Sequence, residues 1–382
     1  MLCSLRSLAT FALRSVPVCL FVLLATGCPH RSPVWSPDGS KLLVLAGANE
    51  EACDHSASQL WLVDVTTGKG KTLALPEANS RFLAAVWINN QTFVTFTGRW
   101  EGNSIAPESE KVWRGDGSKW TEMKLPRPNA ARVTRRIPVL VENDGNKALA
   151  YPVGDEGLVV VALSDGKVLT ELEPAELIGP GPQGGILIYQ PEDSEDGGVE
   201  VAAVGNDLKQ LWAVNFANLR TSAAKRLGKT PFEIVFNDTS TSHRPPGNEK
   251  GWVGMVMVFS DVSWPDGING YYFQLDEKTG ELKNVVAGHG TSGLPTGAKD
   301  SVWATLAPSR KGKLPMRVAR INLTDGKPSD VAPLAGVAKT ALHGYSLSPA
   351  GDRVAVSING ETPSVKIYKS DNLEELKTIP LK

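Results

Sequence analysis

Apolar residues in this chain come in short alternating runs, cut at close intervals by Gly, Pro, Asn and Asp, with hardly any stretch of helical period. Runs of that kind predict strands joined by tight turns. The segment from Trp35 to Leu75 shows the grammar most clearly. A short approach ends at Trp35, and Ser36-Pro37-Asp38-Gly39 predicts a turn in which proline presets φ and glycine closes the reversal. A strand over Lys41 to Ala46 follows, then a polar loop, a strand over Gln59 to Val65, a turn at Thr66-Thr67-Gly68-Lys69, and a fourth strand over Lys71 to Leu75. One four-stranded sheet cannot bury both of its faces, so the unit needs neighbours.

The same punctuation returns downstream. Gly68, Gly117, Gly166, Asn218, Gly280, Gly326 and Asn372 mark successive turns between third and fourth strands, at intervals of 46 to 62 residues. First-to-second turns recur as Ile88-Asn89-Asn90-Gln91, Glu142-Asn143-Asp144-Gly145 and Leu347 to Asp352. Seven units result; in unit four, residues 176 to 228, two strands can be drawn in more than one way around Gly197-Gly198. Repeated four-stranded units of this length pack radially, each sheet covering the next. The expectation is an all-β chain whose residues 33–382 form one closed β-propeller of seven four-stranded blades, with almost no helix. Trp35 should then lie in the first blade, beside a last blade containing Tyr368.

Trp35-Ser36-Pro37-Asp38-Gly39 and Leu347-Ser348-Pro349-Ala350-Gly351 resemble the WD-like repeats of TolB-type propellers. The units between them keep the strand rhythm without the signature, and the α/β domain that precedes the TolB propeller has no counterpart here. The resemblance implies a fold and a periplasmic setting. The overall length, the N-terminal leader described next and the segment Leu158 to Lys167 are also similar to a repeat lipoprotein that scaffolds outer-membrane protein assembly.

The N-terminal end follows a different logic. Arg6 and Arg14 precede an apolar stretch from Val16 to Leu24, and no acidic residue occurs before Asp38. That is the layout of a secretory leader, too short in its apolar part for the ~20 residues of a spanning helix. It runs into Leu24-Ala25-Thr26-Gly27-Cys28, which resembles a bacterial lipobox, with Ala25 where leucine is commonest. The resemblance implies cleavage after residue 27, lipidation of Cys28 and a tether over residues 28–32. The expected address is the bacterial envelope, with the chain facing the periplasm from the outer membrane.

Loss of Arg6 and Arg14 with the leader leaves 38 basic against 41 acidic residues, which argues against a nucleic-acid partner. Cys3 and Cys19 leave with the leader and Cys28 carries lipid, so Cys53 has no disulfide partner. The fold must rest on its apolar core.

Patterns that carry chemistry fail on inspection. Gly179-Pro180-Gly181-Pro182-Gln183-Gly184 satisfies a dinucleotide-binding spacing, yet two prolines remove backbone donors and a strand, not a helix, follows at Gly185 to Tyr189. No nucleophile elbow of the form G-x-S-x-G occurs. His30, His55, His243, His289 and His343 are never three or four residues apart. Cys53-Asp54-His55 and Asp193 to Asp196 read as solvated loops, and His343 in a first strand as a core group. No catalytic residue, metal or cofactor is expected. The alternatives are a lyase, glycosidase or lactonase, for which first strands offer only Glu142, Asp144 and His343, or a small-ligand sensor in the axial funnel.

Trp35, Trp61, Trp87, Trp113, Trp212 and Trp303 fall in or beside predicted strands and should fill space between sheets. Trp100 and Trp264 are expected in polar loops, Arg99-Trp100-Glu101 and Ser263-Trp264-Pro265. Four long second-to-third connections, Gly47 to Ser58, Gly98 to Glu110, Gln190 to Gly198 and Asp261 to Ile268, should project from one side of the ring. The opposite turns are short apart from Thr239 to Lys250 in unit five. The functional expectation is a non-catalytic protein-interaction or scaffolding module binding an envelope protein through that side, anchored by Arg99, Trp100 and Trp264.

Overall fold

The computed structural model describes residues 33–48, 57–101, 104–134, 138–143, 145–191, 198–229, 241–243, 252–258, 270–288, 294–295, 301–306, 317–322, 342–358 and 363–381. Unit one holds β1 (Val34–Trp35), β2 (Lys41–Ala48), β3 (Ala57–Asp64) and β4 (Lys69–Leu73). Unit two holds β5 (Ser80–Trp87), β6 (Phe93–Glu101), the short β7 (Ser104–Ile105), β8 (Lys111–Gly115) and β9 (Trp120–Met123). After helix α1 (Ala130–Val133), unit three holds β10 (Val139–Asn143), β11 (Asn146–Val153), β12 (Gly157–Ala162) and β13 (Val168–Leu172). Unit four holds β14 (Glu176–Pro180), β15 (Ile186–Pro191), β16 (Val199–Val204) and β17 (Gln210–Asn215), followed by helix α2 (Phe216–Leu227). Unit five holds β18 (Thr241–His243), β19 (Trp252–Val258), β20 (Gly270–Asp276) and β21 (Leu282–Gly288). Unit six shows β22 (Leu294–Pro295), β23 (Ser301–Leu306) and β24 (Arg317–Asn322). Unit seven holds β25 (Leu342–Leu347), β26 (Arg353–Ile358), β27 (Ser364–Lys369) and β28 (Glu375–Pro380).

Within each unit consecutive strands pair antiparallel, and a single pair, Ala57 with Phe82, joins units one and two into one sheet. First strands touch first strands: β1 meets β5, β5 meets β10, β10 meets β14, β14 meets β18, β22 meets β25, and β25 returns to β1. The innermost strands therefore line a common axis, and the sheets radiate from it as a β-propeller.

The core is a series of slabs between sheets. Phe96 and Val94 of unit two meet Leu149, Tyr151 and Val159 of unit three, with the Phe96 and Tyr151 rings edge to face at 5.3 Å. Leu158 and Val160 face the other way, into Leu177, Ile188 and Ala202 of unit four. Because both of its faces are covered, β12 is buried at every position and reads Gly-Leu-Val-Val-Val-Ala without a polar residue. Trp35, Trp61 and Val63 of unit one pack on Ala355, Val365, Ile367 and Ile379 of unit seven, so the first and last units lie side by side as the repeat requires.

The two signature turns fold alike. Ser36 and Ser348 are buried, and each accepts at its hydroxyl the N–H of the first residue of the second strand, Lys41 at 2.9 Å and Arg353 at 3.0 Å. Each hydroxyl also donates to a nearby carboxylate, Ser36 to Asp38 at 2.6 Å and Ser348 to Asp352 at 2.7 Å. Those bonds help hold both carboxyls below the usual aspartate range, with the Ser36 bond the largest cause at Asp38.

The third-to-fourth turns share another device. The side chains of Asp64, Asp116, Asp165, Asp207, Asp276 and Asn372 accept backbone N–H groups two or three residues on, an Asx turn in each of six units. Unit four thus turns at Asp207, not at Asn218. Asn218 lies in the first turn of α2, where its N–H is capped by the Asn215 side chain at 3.1 Å. The all-β expectation holds, with α1 and α2 the two α-helices among the described residues. Phe216, Leu219, Ala223 and Ala224 recur at helical spacing and bury against units four and five, and Gly228 ends the helix at φ +64°. Gly179 and Pro180 end β14 and Gly181 to Gly185 forms the turn into β15, with a strand after it as expected.

Candidate interaction face

Antiparallel pairing puts the first-to-second and third-to-fourth turns of every unit at one end of its strands, the turn face. Second-to-third connections and the crossovers between units leave from the other end, the loop face. The turn face is occupied with holding units together. Lys377 reaches from unit seven to the carbonyls of Val65 at 3.0 Å and Thr66 at 2.7 Å, and Lys71 from unit one to Gly117 at 2.9 Å. Arg114 donates to Leu163 of unit three, Asn143 to Asn206 of unit four at 2.7 Å, and the Trp212 indole to Glu277 of unit five at 3.0 Å. Each clasp satisfies a turn carbonyl on the neighbouring unit.

The loop face carries a different structure. β6 runs past the end of its sheet to Glu101 and folds back through β7, pairing Trp100 with Ile105. Gly98 permits the fold, since a Cβ there would stand 2.4 Å from Cγ2 of Ile105. The Trp100 N–H donates to Asn79 at 2.7 Å, and the Arg99 N–H to Ser109 Oγ at 2.9 Å. The guanidinium carbon of Arg81, on β5, sits 3.7 Å from the centre of the Trp100 ring, a cation–π stack. Arg99 pairs with Glu101 at 2.7 Å, both side chains more than half exposed, 57% and 58%. Lys111 bridges Glu77 at 3.1 Å and Glu122 at 3.8 Å, and Arg127 meets Glu108 at 3.3 Å. The surface is mixed in charge, with one half-buried aromatic at its centre.

Trp100 is therefore a strand residue, not a residue of a polar loop. Gly98 reads in the sequence as the end of a strand, whereas it is the place where Ile105 crosses over one. Arg99 and Trp100 lie at the loop-face end of β6. Cys28 and Trp264 lie outside the described residues, as do Cys53 to His55, Asp193 to Asp196, Asp144, and most of the loops Gly47 to Ser58, Gln190 to Gly198 and Asp261 to Ile268. Glu142 is exposed on β10, and His343 falls on the first strand β25. The residue that sequence reasoning missed is Arg81. It is the one charged side chain in the apolar strand Ser80–Trp87, and that isolation was the available signal.

Among the described residues no group of His, Cys, Asp and Glu side chains is placed to hold a metal ion. No helix among them is long and apolar enough to cross a membrane.

No known protein family matches the sequence, and no curated protein matches it either. Among solved structures, a chain in the crystal structure of the mitotic checkpoint complex aligns with a TM-score of 0.55 at 10% identity, over 91% of this chain and 94% of that one. Dihydro-heme d1 dehydrogenase NirN in complex with DHE gives 0.48 at 13% identity, over 92% of this chain and 66% of that one. The first of these likenesses shows the fold, and the fold alone.

Proposed function

We propose that this chain is a lipoprotein of a bacterial envelope, lipidated at Cys28 and facing the periplasm from the outer membrane, whose TolB-like, seven-bladed propeller is a non-catalytic protein-interaction module. The observation that carries the reading is the division of labour between the two faces. On the turn face Lys71, Arg114 and Lys377 donate to carbonyls of neighbouring units, while the loop face presents Trp100, stacked on Arg81 and flanked by the exposed Arg99 and Glu101. Aromatic and arginine side chains at the centre of a polar rim are the usual anchors of a protein interface. The partner is an envelope protein, engaged through Arg99, Trp100 and Trp264.

The test is recovery of partners from detergent-solubilised envelopes with the wild-type chain and with Trp100→Ala and Trp264→Ala. Loss of the same partner band from both variants, each retaining the wild-type circular dichroism spectrum, is the expected result. Equal recovery by folded variants removes the loop face as the binding surface. The anchor is tested apart from the partner: wild-type protein should sediment with membranes and Cys28→Ser should not.

A further inference from the structure

The direction of β1 fixes which face the tether leaves from. β1 is the innermost strand of unit one and runs from the loop face toward the turn at Ser36 to Gly39, with Val34 opposite Leu43 and Trp35 opposite Leu42. Pro33 therefore lies at the loop-face end of β1, beside the axis. The depth of that entry is also set. β2 continues from Leu43 to Ala48, so Pro33 lies roughly 13 Å below the strand ends at ~3.3 Å per residue. The Pro33 carbonyl is held there by the Ser346 hydroxyl and the neighbouring Val34 carbonyl by the Trp87 indole at 2.8 Å. Pro33 lies five positions beyond Cys28, an extended reach of at most about 18 Å. Subtracting the depth leaves on the order of 5 Å between Cys28 and the level at which β2 ends.

We infer that the loop face is the membrane-proximal face of the propeller, and that the partner it engages through Arg99 and Trp100 is a protein embedded in the same membrane. The inference rests on the lipidation of Cys28 and on the loop face as the binding surface. A lipidated residue with so little slack holds the loop face against the headgroups and turns the clasped face toward the aqueous compartment. A large soluble partner has no room in that gap, whereas the polar segments of a membrane-embedded protein emerge there. The surface around Trp100 matches such a segment better than it matches an anionic bilayer, because Arg99 is paired with Glu101 and Lys111 with Glu77 and Glu122.

The experiment uses the full lipidated chain carrying Cys53→Ser, reconstituted into protein-free phosphatidylethanolamine and phosphatidylglycerol vesicles. A nitrobenzoxadiazole donor is placed at Ser104→Cys, opposite Glu101 on β7, or at Lys119→Cys, exposed positions at opposite ends of unit two, and the vesicles carry a rhodamine headgroup acceptor. β6 alone spans nine residues, so the two labels differ in height by roughly 25 Å, and transfer from position 104 should exceed that from position 119 by at least about twofold. Transfer equal from both sites, or greater from 119, in protein that floats with the vesicles overturns the orientation. Failure of the lipidated chain to float overturns the anchor and the orientation together. The emission of the label at 104 should stay at its water-exposed wavelength in these vesicles. A blue shift there means that lipid itself is the occupant, and overturns the protein partner while leaving the orientation standing.

Discussion

The indole N–H of Trp35 donates to the carbonyl of Ser346, 3.2 Å away in space and 311 positions away in sequence. The Arg353 guanidinium lies 5.1 Å from the same ring and donates to Gly39 at 3.2 Å. Trp35 is only 7% exposed and meets the last unit on one face and its own sheet on the other. The ends of the ring meet at this side chain.

Trp35→Ala should accordingly destabilise the chain by about 3–5 kcal/mol, the usual cost of truncating a buried aromatic in a packed core. Trp35→Phe retains most of the apolar contact and loses the hydrogen bond, so its cost should be nearer ~1–2 kcal/mol. Urea unfolding followed by circular dichroism measures both.

Acid sensitivity follows from the Asx turns. Lys283, 2.9 Å away, and the N–H groups of Lys278 and Thr279 hold the Asp276 pKa down to about 2. Asp38, Asp64 and Asp116 are lowered as well, chiefly by hydrogen bonds from Ser36, Thr67 and Lys119 respectively. A carboxyl whose folded pKa is depressed contributes stability that is fully present above its unfolded value of ~3.9 and is lost as pH falls through the folded value. Stability should therefore fall between about pH 4 and pH 2, with protons taken up on unfolding. Asp276→Asn should make that fall shallower, as read from urea midpoints across the range.

Glycines at positive φ should differ sharply in their tolerance of a methyl group. Gly145 has φ +77° and open space around it, so Gly145→Ala should cost only the left-handed backbone penalty, about 1–2 kcal/mol. At Gly280, φ +72°, the same methyl would stand 2.4 Å from the Trp212 ring and 2.6 Å from Val214. Gly280→Ala should cost clearly more and weaken the contact between units four and five, visible as a larger loss of thermal midpoint.

Arg132 holds the crossover from unit two to unit three. Its guanidinium donates to Val153 at 3.1 Å and Gly157 at 2.8 Å, which flank the turn between β11 and β12, and to Ala175 at 2.9 Å, in the crossover to unit four. Arg132→Ala strands all three and should cost about 2–4 kcal/mol, since hydrogen bonds to a charged group contribute roughly 1.5–3 kcal/mol each and water recovers part of the loss. Amide hydrogen exchange should show the deprotection confined to units three and four.

The propeller was legible in the chain because its turns are chemically explicit. Ser-Pro-x-Gly, and aspartate ahead of glycine at Asp64, Asp116, Asp165 and Asp276, state the reversals locally, and alternation states the strands. Unit four was misphased because its third-to-fourth turn, Gly205 to Lys209, places its only glycine before the aspartate, while Asn218 imitates a turn residue at the start of α2. α2 itself was hidden by weak amphipathicity: two of its four buried residues are alanines. The stack of Arg81 on Trp100 was beyond local reading, since it joins side chains from two strands whose register shifts between Phe82 and Ala84.

The ring closes without sharing a sheet between its two ends. Unit one is built wholly from the start of the fold and unit seven wholly from its end, and what crosses the seam is side chains: Trp35, Arg353, Lys377 and the apolar slab beneath them. Opening the seam therefore breaks no strand ladder. It leaves two finished sheets, each showing one apolar face, and the faces are complementary but different. Two chains opened in this way can join end to end, and a third can add to either free end, because such a contact is heterologous and does not close by itself. Weakening the seam should convert a discrete ring into a ladder of head-to-tail oligomers before it unfolds any blade.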